Sequence, residues 1–332
     1  MMTILGLHHI TLGCSHAQRT VDFYTRILGL RFVKKTVNFD DPGSYHLYFG
    51  DEVGRPGTAI TFFEWPGVPP GRPGIGGTHH LAWRLKDAAS VRRWARRLAD
   101  AGARVEGLYE FGDNLAVQFH DPDGVTLEIV AAKDGPSEAW PDPVPEVDGA
   151  MALRQGMDHW AGECSDLGRA RAFYGDLLGM PLMERQAGHG GLEGRSWAWR
   201  AGSAGGHVAF VESDVRARHR AKIGVGQTHH FALAVADVGA QLAWRERLIE
   251  AGLSVTPVLD RVYFQSIYTR DPDGHIIELA TLGPGFTVDE SREELGSTLR
   301  LPPWLEDDRP QIERRMRPVA APEWRGWPGP QP

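Results

Sequence analysis

His9, His80 and Glu128 recur 150 residues later as His159, His230 and Glu278. Two imidazoles and a carboxylate are a set that holds a divalent metal ion on one face and leaves other positions open, the arrangement non-haem iron oxygenases use to hold substrate and O2 together. The same donors suit Mn(II), Zn(II) or Ni(II), so the ligands alone do not name the ion. A lone histidine or glutamate in a strand is more often an ordinary hydrogen-bonded residue, and it is the recurrence of the whole set that tells against that reading. Glu278 stands in the apolar run His275-Ile-Ile-Glu-Leu-Ala280, where an unpaired carboxylate would be costly to bury and a cation would offset the cost.

The offset extends beyond these residues. Phe23-Tyr24 and Leu28-Gly29 return as Phe173-Tyr174 and Leu178-Gly179, and Asp121-Pro-Asp-Gly124 returns as Asp271-Pro-Asp-Gly274. The chain is a duplication, with a first half at 1–134, a Pro-rich connector at 135–149, a second half at 150–283 and a tail at 284–332. Cys14 and Cys164 obey the same offset and read as small buried residues late in equivalent strands.

Each half contains a second, weaker repeat. A strand over Leu7–Gly13 is followed by Ser15 as helix N-cap, a helix with Val21, Tyr24 and Leu28 on one face, and β-rich runs Arg31–Asn38, Tyr45–Gly50 and Thr58–Glu64. From Gly77 the order repeats: strand His79–Leu85, helix Ala89–Ala101, then Val105–Tyr109, Leu115–His120 and Val125–Ala131, the last two joined by the Asp-Pro-Asp-Gly turn. The second half follows suit from Met157 and Gln227, so four β-α-β-β-β units are expected. In the tail a short helix is expected near Asp289–Leu295. Strand alternation sends His9, Thr11 and Gly13 to one face and His8, Ile10 and Leu12 to the other, so His8 and His9 cannot both be ligands. It also turns His229 away from the metal face, while Thr11 is expected to line the pocket.

With 332 residues, 42% of them hydrophobic, the chain has material for two ordinary domains. The net charge of −7 with scattered Lys and Arg offers no basic face for nucleic acid or anionic lipid. No apolar run reaches the roughly 18 residues of a membrane span, and no secretory leader pattern opens the sequence, which makes a cytoplasmic location the expectation. Oligomeric state is not legible, and a homo-oligomer is compatible with the sequence.

The pattern of a histidine opening strand one, a helix with Phe-Tyr and Leu-Gly, and a glutamate in the last strand resembles the vicinal oxygen chelate superfamily, which includes glyoxalases and extradiol dioxygenases. That resemblance covers about residues 5–283 and implies an α+β fold in which four βαβββ units pair into two cup-shaped mixed sheets, helices outside. Leu7-His-His-Ile-Thr11, Arg31-Phe-Val-Lys34, Tyr45-His-Leu-Tyr-Phe49, His229-His230, Tyr263-Phe-x-Ser-x-Tyr268 and, in the tail, Leu301-Pro-Pro-Trp-Leu305 resemble its hydroquinone-type ring-cleaving dioxygenases.

This closer resemblance implies His9, His230 and Glu278 as ligands, iron(II) as the ion, and O2-dependent opening of a small hydroquinone-type or catechol-type ring. It also implies working roles for Tyr268, whose first-half counterpart is Gln118, for Arg261 as a partner of a phenolate, and for His229 and His8 beside the ligands. The ligand set requires unit one to pair with unit four. Sequential pairing, which would group His9 with His80 and Glu128, is also sterically open from sequence. Two rivals remain: a glyoxalase-like isomerase, which needs a further carboxylate base with Glu64 and Glu212 as nearby candidates, and a non-enzymatic binder of aromatic ligands.

Overall fold

The computed structural model describes residues 2–132, 153, 156–183, 186–187, 195–202, 206–215 and 218–322. The connector expected at 135–149 and the end of the tail from 323 lie outside them. Unit one comprises β1 (Gly6–Cys14), α1 (Ala17–Asp22), β2 (Arg31–Asn38), β3 (Asp41–Gly50) and β4 (Ala59–Glu64). Unit two comprises β5 (Thr78–Arg84), α2 (Ala88–Asp100), β6 (Arg104–Phe111), β7 (Asn114–His120) and β8 (Thr126–Ala132). Unit three has β9 (Met157–Cys164), α3 (Leu167–Ala170), β10 (Gln186–Ala187), β11 (Arg195–Arg200) and β12 (His207–Glu212). Unit four has β13 (Thr228–Val235), α4 (Val238–Glu250), β14 (Leu259–Asp260), β15 (Gln265–Arg270) and β16 (Ile276–Thr281).

These strands form two eight-stranded mixed sheets, β14-β15-β16-β13-β1-β4-β3-β2 and β10-β11-β12-β9-β5-β8-β7-β6. Unit one therefore pairs with unit four and unit two with unit three, each pair meeting at an antiparallel seam, β1 on β13 and β5 on β9. Of the two pairings the sequence left open, the structure adopts the interleaved one. Each seam strand is flanked on its other side by the parallel last strand of its own unit, β4 or β16 in the first sheet. Such a strand is paired along both edges, and every residue of β1 is buried. Its apolar side chains Leu7, Ile10 and Leu12 join the main core, while His9 turns into the cup.

Helices α2 and α4 start where Asp87 and Asp237 accept hydrogen bonds from the backbone N–H of Ser90 and Ala240. They end at Gly102 and Gly252, both in the left-handed region, and bury Trp94 with Leu98 and Trp244 with Leu248. The expected Ser15 cap is not used. Ser15 donates its N–H and hydroxyl to the Asp123 carboxylate, His16 takes the cap position, and Glu64 of β4 accepts from the N–H of Ala17. A turn–strand tie outcompetes the local cap because it joins unit one to unit two. The Asp-Pro-Asp-Gly hairpin forms as expected, Asp121 accepting from the N–H groups of Asp123 and Val125.

Asp289–Leu295 forms turns rather than the expected helix. Asp289 and Glu290 instead reach across to the buried Lys34 of β2 as ion-pair partners, and the tail's helix, α5, lies at Arg309–Arg315. No helix among the described residues is long and apolar enough to cross a membrane.

Candidate metal centre

His9 on β1, His230 on β13 and Glu278 on β16 come together inside the first cup, all buried. The Nε2 atoms of His9 and His230 are 3.3 Å apart, and Glu278 Oε2 lies 3.3 Å from His9 Nε2 and 2.9 Å from His230 Nε2. Glu278 Oε1 accepts from the Ser266 hydroxyl, whereas Oε2 is buried with no hydrogen-bond partner. A first-row ion with bonds of about 2.1 Å at right angles sets its ligands about 3.0 Å apart, so the triangle and its unpartnered oxygen fit a divalent cation. Burial alone would push the Glu278 carboxyl up, but His9 and His230 hold it well below the usual carboxylate range.

The residue before each histidine of the triangle corrects a sequence expectation. His8 and His229 do not face away, because each is the extra residue of a β-bulge. Leu7 and His9 pair with the adjacent Leu233 and Ala232, and Thr11 and Leu12 pair with His230 and Thr228. An inserted residue breaks the alternation and re-aims its side chain. The Nδ1 atoms of His8 and His9 are 2.9 Å apart, and those of His229 and His230 2.8 Å.

His8 Nε2 donates to the carbonyl of Thr281 at 3.1 Å, and burial pushes its pKa down to about 3, so the ring is neutral. A neutral ring that donates at Nε2 can only accept at Nδ1. His9 therefore donates from Nδ1 and presents the lone pair of Nε2 to the centre, the tautomer a metal ligand requires.

The triangle forms part of the wall of a cavity of about 830 Å³, together with His46, Tyr48, Phe63, Trp65, Phe264 and Tyr268. Tyr268 stands opposite Glu278 in the β15–β16 ladder, its ring edge-on to His230 at 5.5 Å. Arg261 is no solvated surface residue. Its side chain is 16% exposed, donates to Asp40 at 3.0 Å and lies over the Tyr268 ring at 5.5 Å. The turn that carries it is strained, with Val262 at φ 66, a region β-branched residues rarely enter.

Thr11 is not among the lining residues. It is fully buried, and its hydroxyl bonds Thr61, which bonds His46. His46 escapes a search by repeat because its counterpart is Ser196. The available signal is the alternation of His46 and Tyr48 in β3, which turns both into the cup, where the Tyr48 hydroxyl meets His46 Nδ1 at 2.9 Å.

Of the two carboxylates an isomerase would need nearby, Glu64 caps α1, and Glu212 accepts from the N–H of Leu167 and pairs with Arg195. Neither lines the cavity, whose carboxylates are Asp40, held by Arg261, and Glu278.

His80, His159 and Glu128 form the counterpart cluster in the second cup. They are not among the residues that line this cavity. Glu128 differs from Glu278 in direction: burial raises it, with His159, Tyr109 and Gln118 pulling the other way.

Comparisons with known proteins agree with this architecture. The chain is 37% identical over 322 residues, covering 95% of it and 96% of the relative, to a Bacillus subtilis (strain 168) protein provisionally named ring-cleaving dioxygenase MhqO. It is 34% identical over 321 residues, 94% of this chain and 95% of the other, to chlorohydroquinone/hydroquinone 1,2-dioxygenase of Sphingobium indicum.

A crystal structure of a provisionally named dioxygenase from Bacillus subtilis subsp. subtilis str. 168 superposes with a TM-score of 0.84 at 34% identity, covering 97% of this chain and 100% of that one. Glyoxalase I from Zea mays shares the fold at a TM-score of 0.61 and 18% identity, over 83% and 92% of the two chains. The family model matches twice, at residues 6–129 and 156–279, one match per half of the duplication. By fold, by relatives and by both matches, the chain belongs to the Glyoxalase/Bleomycin resistance protein/Dioxygenase superfamily.

Proposed function

We propose that this protein is a metal-dependent ring-cleaving dioxygenase that opens a hydroquinone-type or catechol-type ring with O2. The observation that carries the reading is the triangle of His9, His230 and Glu278 in the wall of an aromatic-lined cavity of about 830 Å³, in a chain at least 34% identical to two relatives named as dioxygenases. Iron(II) is the ion assigned, because the donor set admits it and the similar proteins are named as dioxygenases. When bound between His9, His230 and Glu278, such an ion would supply the redox chemistry that couples an aromatic ring to O2. Both oxygen atoms end in the ring-opened product, so no external reductant is required.

The protein's part is orientation, charge and exclusion of water. Phe63, Trp65 and Phe264 give the ring an apolar slot. Arg261, always cationic, pairs with an ionised phenol oxygen, and its planar guanidinium is fixed by Asp40 and by the face of Tyr268. Burial, with Glu278 nearby, keeps the Tyr268 hydroxyl protonated by raising its pKa, so Tyr268 acts as a hydrogen-bond donor toward the substrate oxygens. His8 sets the tautomer of His9, and His229 meets Nδ1 of His230. Thr11 acts at a distance, holding Thr61 and through it His46.

The test is metal analysis of anaerobically purified protein, followed by O2 uptake with panels of hydroquinones and catechols. One O2 consumed per ring opened is expected. Tightly held zinc, with no oxygen consumption after iron loading, would sink the reading.

A further inference from the structure

We infer that His80, His159 and Glu128 bind a second divalent cation, which ties the second sheet together at its central seam. His80 on β5 and His159 on β9 bring their Nε2 atoms to 2.7 Å across the seam, with Glu128 Oε2 of β8 3.4 Å from His80 Nε2. All three side chains are at most 1% exposed.

The supports of the first triangle recur with different residues. His79 and Asp158 are the extra residues of two bulges in the β5–β9 seam, and each meets the Nδ1 of the ligand that follows it, at 2.5 and 2.7 Å. Asp158 also accepts from Arg84, which commits it to orienting His159 rather than to ligation. Because a carboxylate only accepts, His159 carries its proton on Nδ1 and turns the lone pair of Nε2 inward.

Glu128 repeats the division of labour of Glu278. Its Oε1 accepts from Tyr109 and Gln118, while Oε2 is buried without a hydrogen-bond partner. A proton shared between the two imidazoles would explain the 2.7 Å contact but would leave Oε2 bare, at a cost typical of buried polar groups. A cation accounts for all three atoms at once.

Two neutral imidazoles and a carboxylate rank Zn(II) above Fe(II) and Mn(II). No residue of this cluster lines the cavity of the first cup, and the Tyr109 hydroxyl closes on Glu128 Oε1 as Ser266 does on Glu278 Oε1. An ion here ties β5, β8 and β9, joining unit two to unit three.

The test uses the full-length chain, stripped with chelator, reloaded with Zn(II), desalted and measured for metal per chain. Two equivalents are expected in the wild type, and one in each of Glu278→Gln, His80→Ala and the isosteric Glu128→Gln, the last serving if His80→Ala fails to fold. Iron-loaded Glu128→Gln should keep its O2 uptake while losing thermal stability on reloading relative to wild type. A single wild-type equivalent that Glu278→Gln abolishes overturns the inference. A single equivalent that survives Glu278→Gln and vanishes in Glu128→Gln upholds this site and counts against the first one.

Discussion

His8 and Thr281, 273 residues apart, are joined by a hydrogen bond from the imidazole Nε2 to the backbone carbonyl at the end of β16. The strand that supplies Glu278 thereby fixes the proton of a ring that in turn fixes the proton of His9.

Breaking that chain should show first in metal affinity. His8→Ala frees the His9 ring to flip and to protonate Nε2, and loss of such an orienting partner typically weakens metal binding about 10–100-fold. Chelator competition on the folded variant measures this, and an unchanged affinity would remove His8 from the centre's support.

The two glutamates should separate cleanly in turnover. Glu278→Gln removes the anionic ligand beside the cavity and should abolish O2 uptake, while Glu128→Gln leaves most of it. The reverse pattern would move the working site to units two and three.

Tyr268→Phe keeps the ring against His230 and the face beneath Arg261 but deletes the hydroxyl. A drop in kcat of about 100-fold, the scale of losing one donor to a developing oxyanion, is expected with metal content unchanged. Equal loss of metal and rate would make Tyr268 a packing residue only.

The paired turns should respond oppositely to pH. Burial pushes Asp121 up to about 7, aided by Asp123. At Asp271 burial also raises, but His275, donating from Nδ1, wins and holds the carboxyl below its ordinary value. A raised carboxyl takes up a proton on folding, so its contribution is present at low pH and is lost as pH rises through about 7. Above that, Asp121→Asn should stabilise, with a gain in Tm that widens from pH 6 to pH 8.5. Asp271, depressed, contributes fully above its unfolded value near 4, so Asp271→Asn should cost about 2 kcal/mol at neutral pH. Parallel Tm curves for the two variants would contradict this assignment.

Much of the candidate site was legible because the duplication marks it: His9, His230, Glu278, the units and the hairpin turns stand in the sequence at fixed offsets. What was hidden depends on pairing between distant strands. Alternation along β1 sends His8 to the core face, and only the mismatch with β13, more than two hundred residues on, makes the bulge that turns it back. A trace does exist. Leu7 and Ile10 both enter the core, as do Met157 and Trp160, and in each pair a spacing of three breaks the strand period of two. The Ser15 cap and the Asp289–Leu295 helix failed for the same reason, since a partner from another unit offered more than the local structure could.

The interleaved order of the sheets also governs how the chain comes to be folded. When the first half leaves the ribosome, β1 and β5 each lie open along one side, and neither finds its mate until β13 or β9 has been made. Closing the β1–β13 seam means bringing together residues separated by two thirds of the polypeptide, the kind of distant contact that slows folding. Until then two apolar strand edges are available to any neighbour. A nascent chain stalled at its midpoint is thus an aggregation hazard.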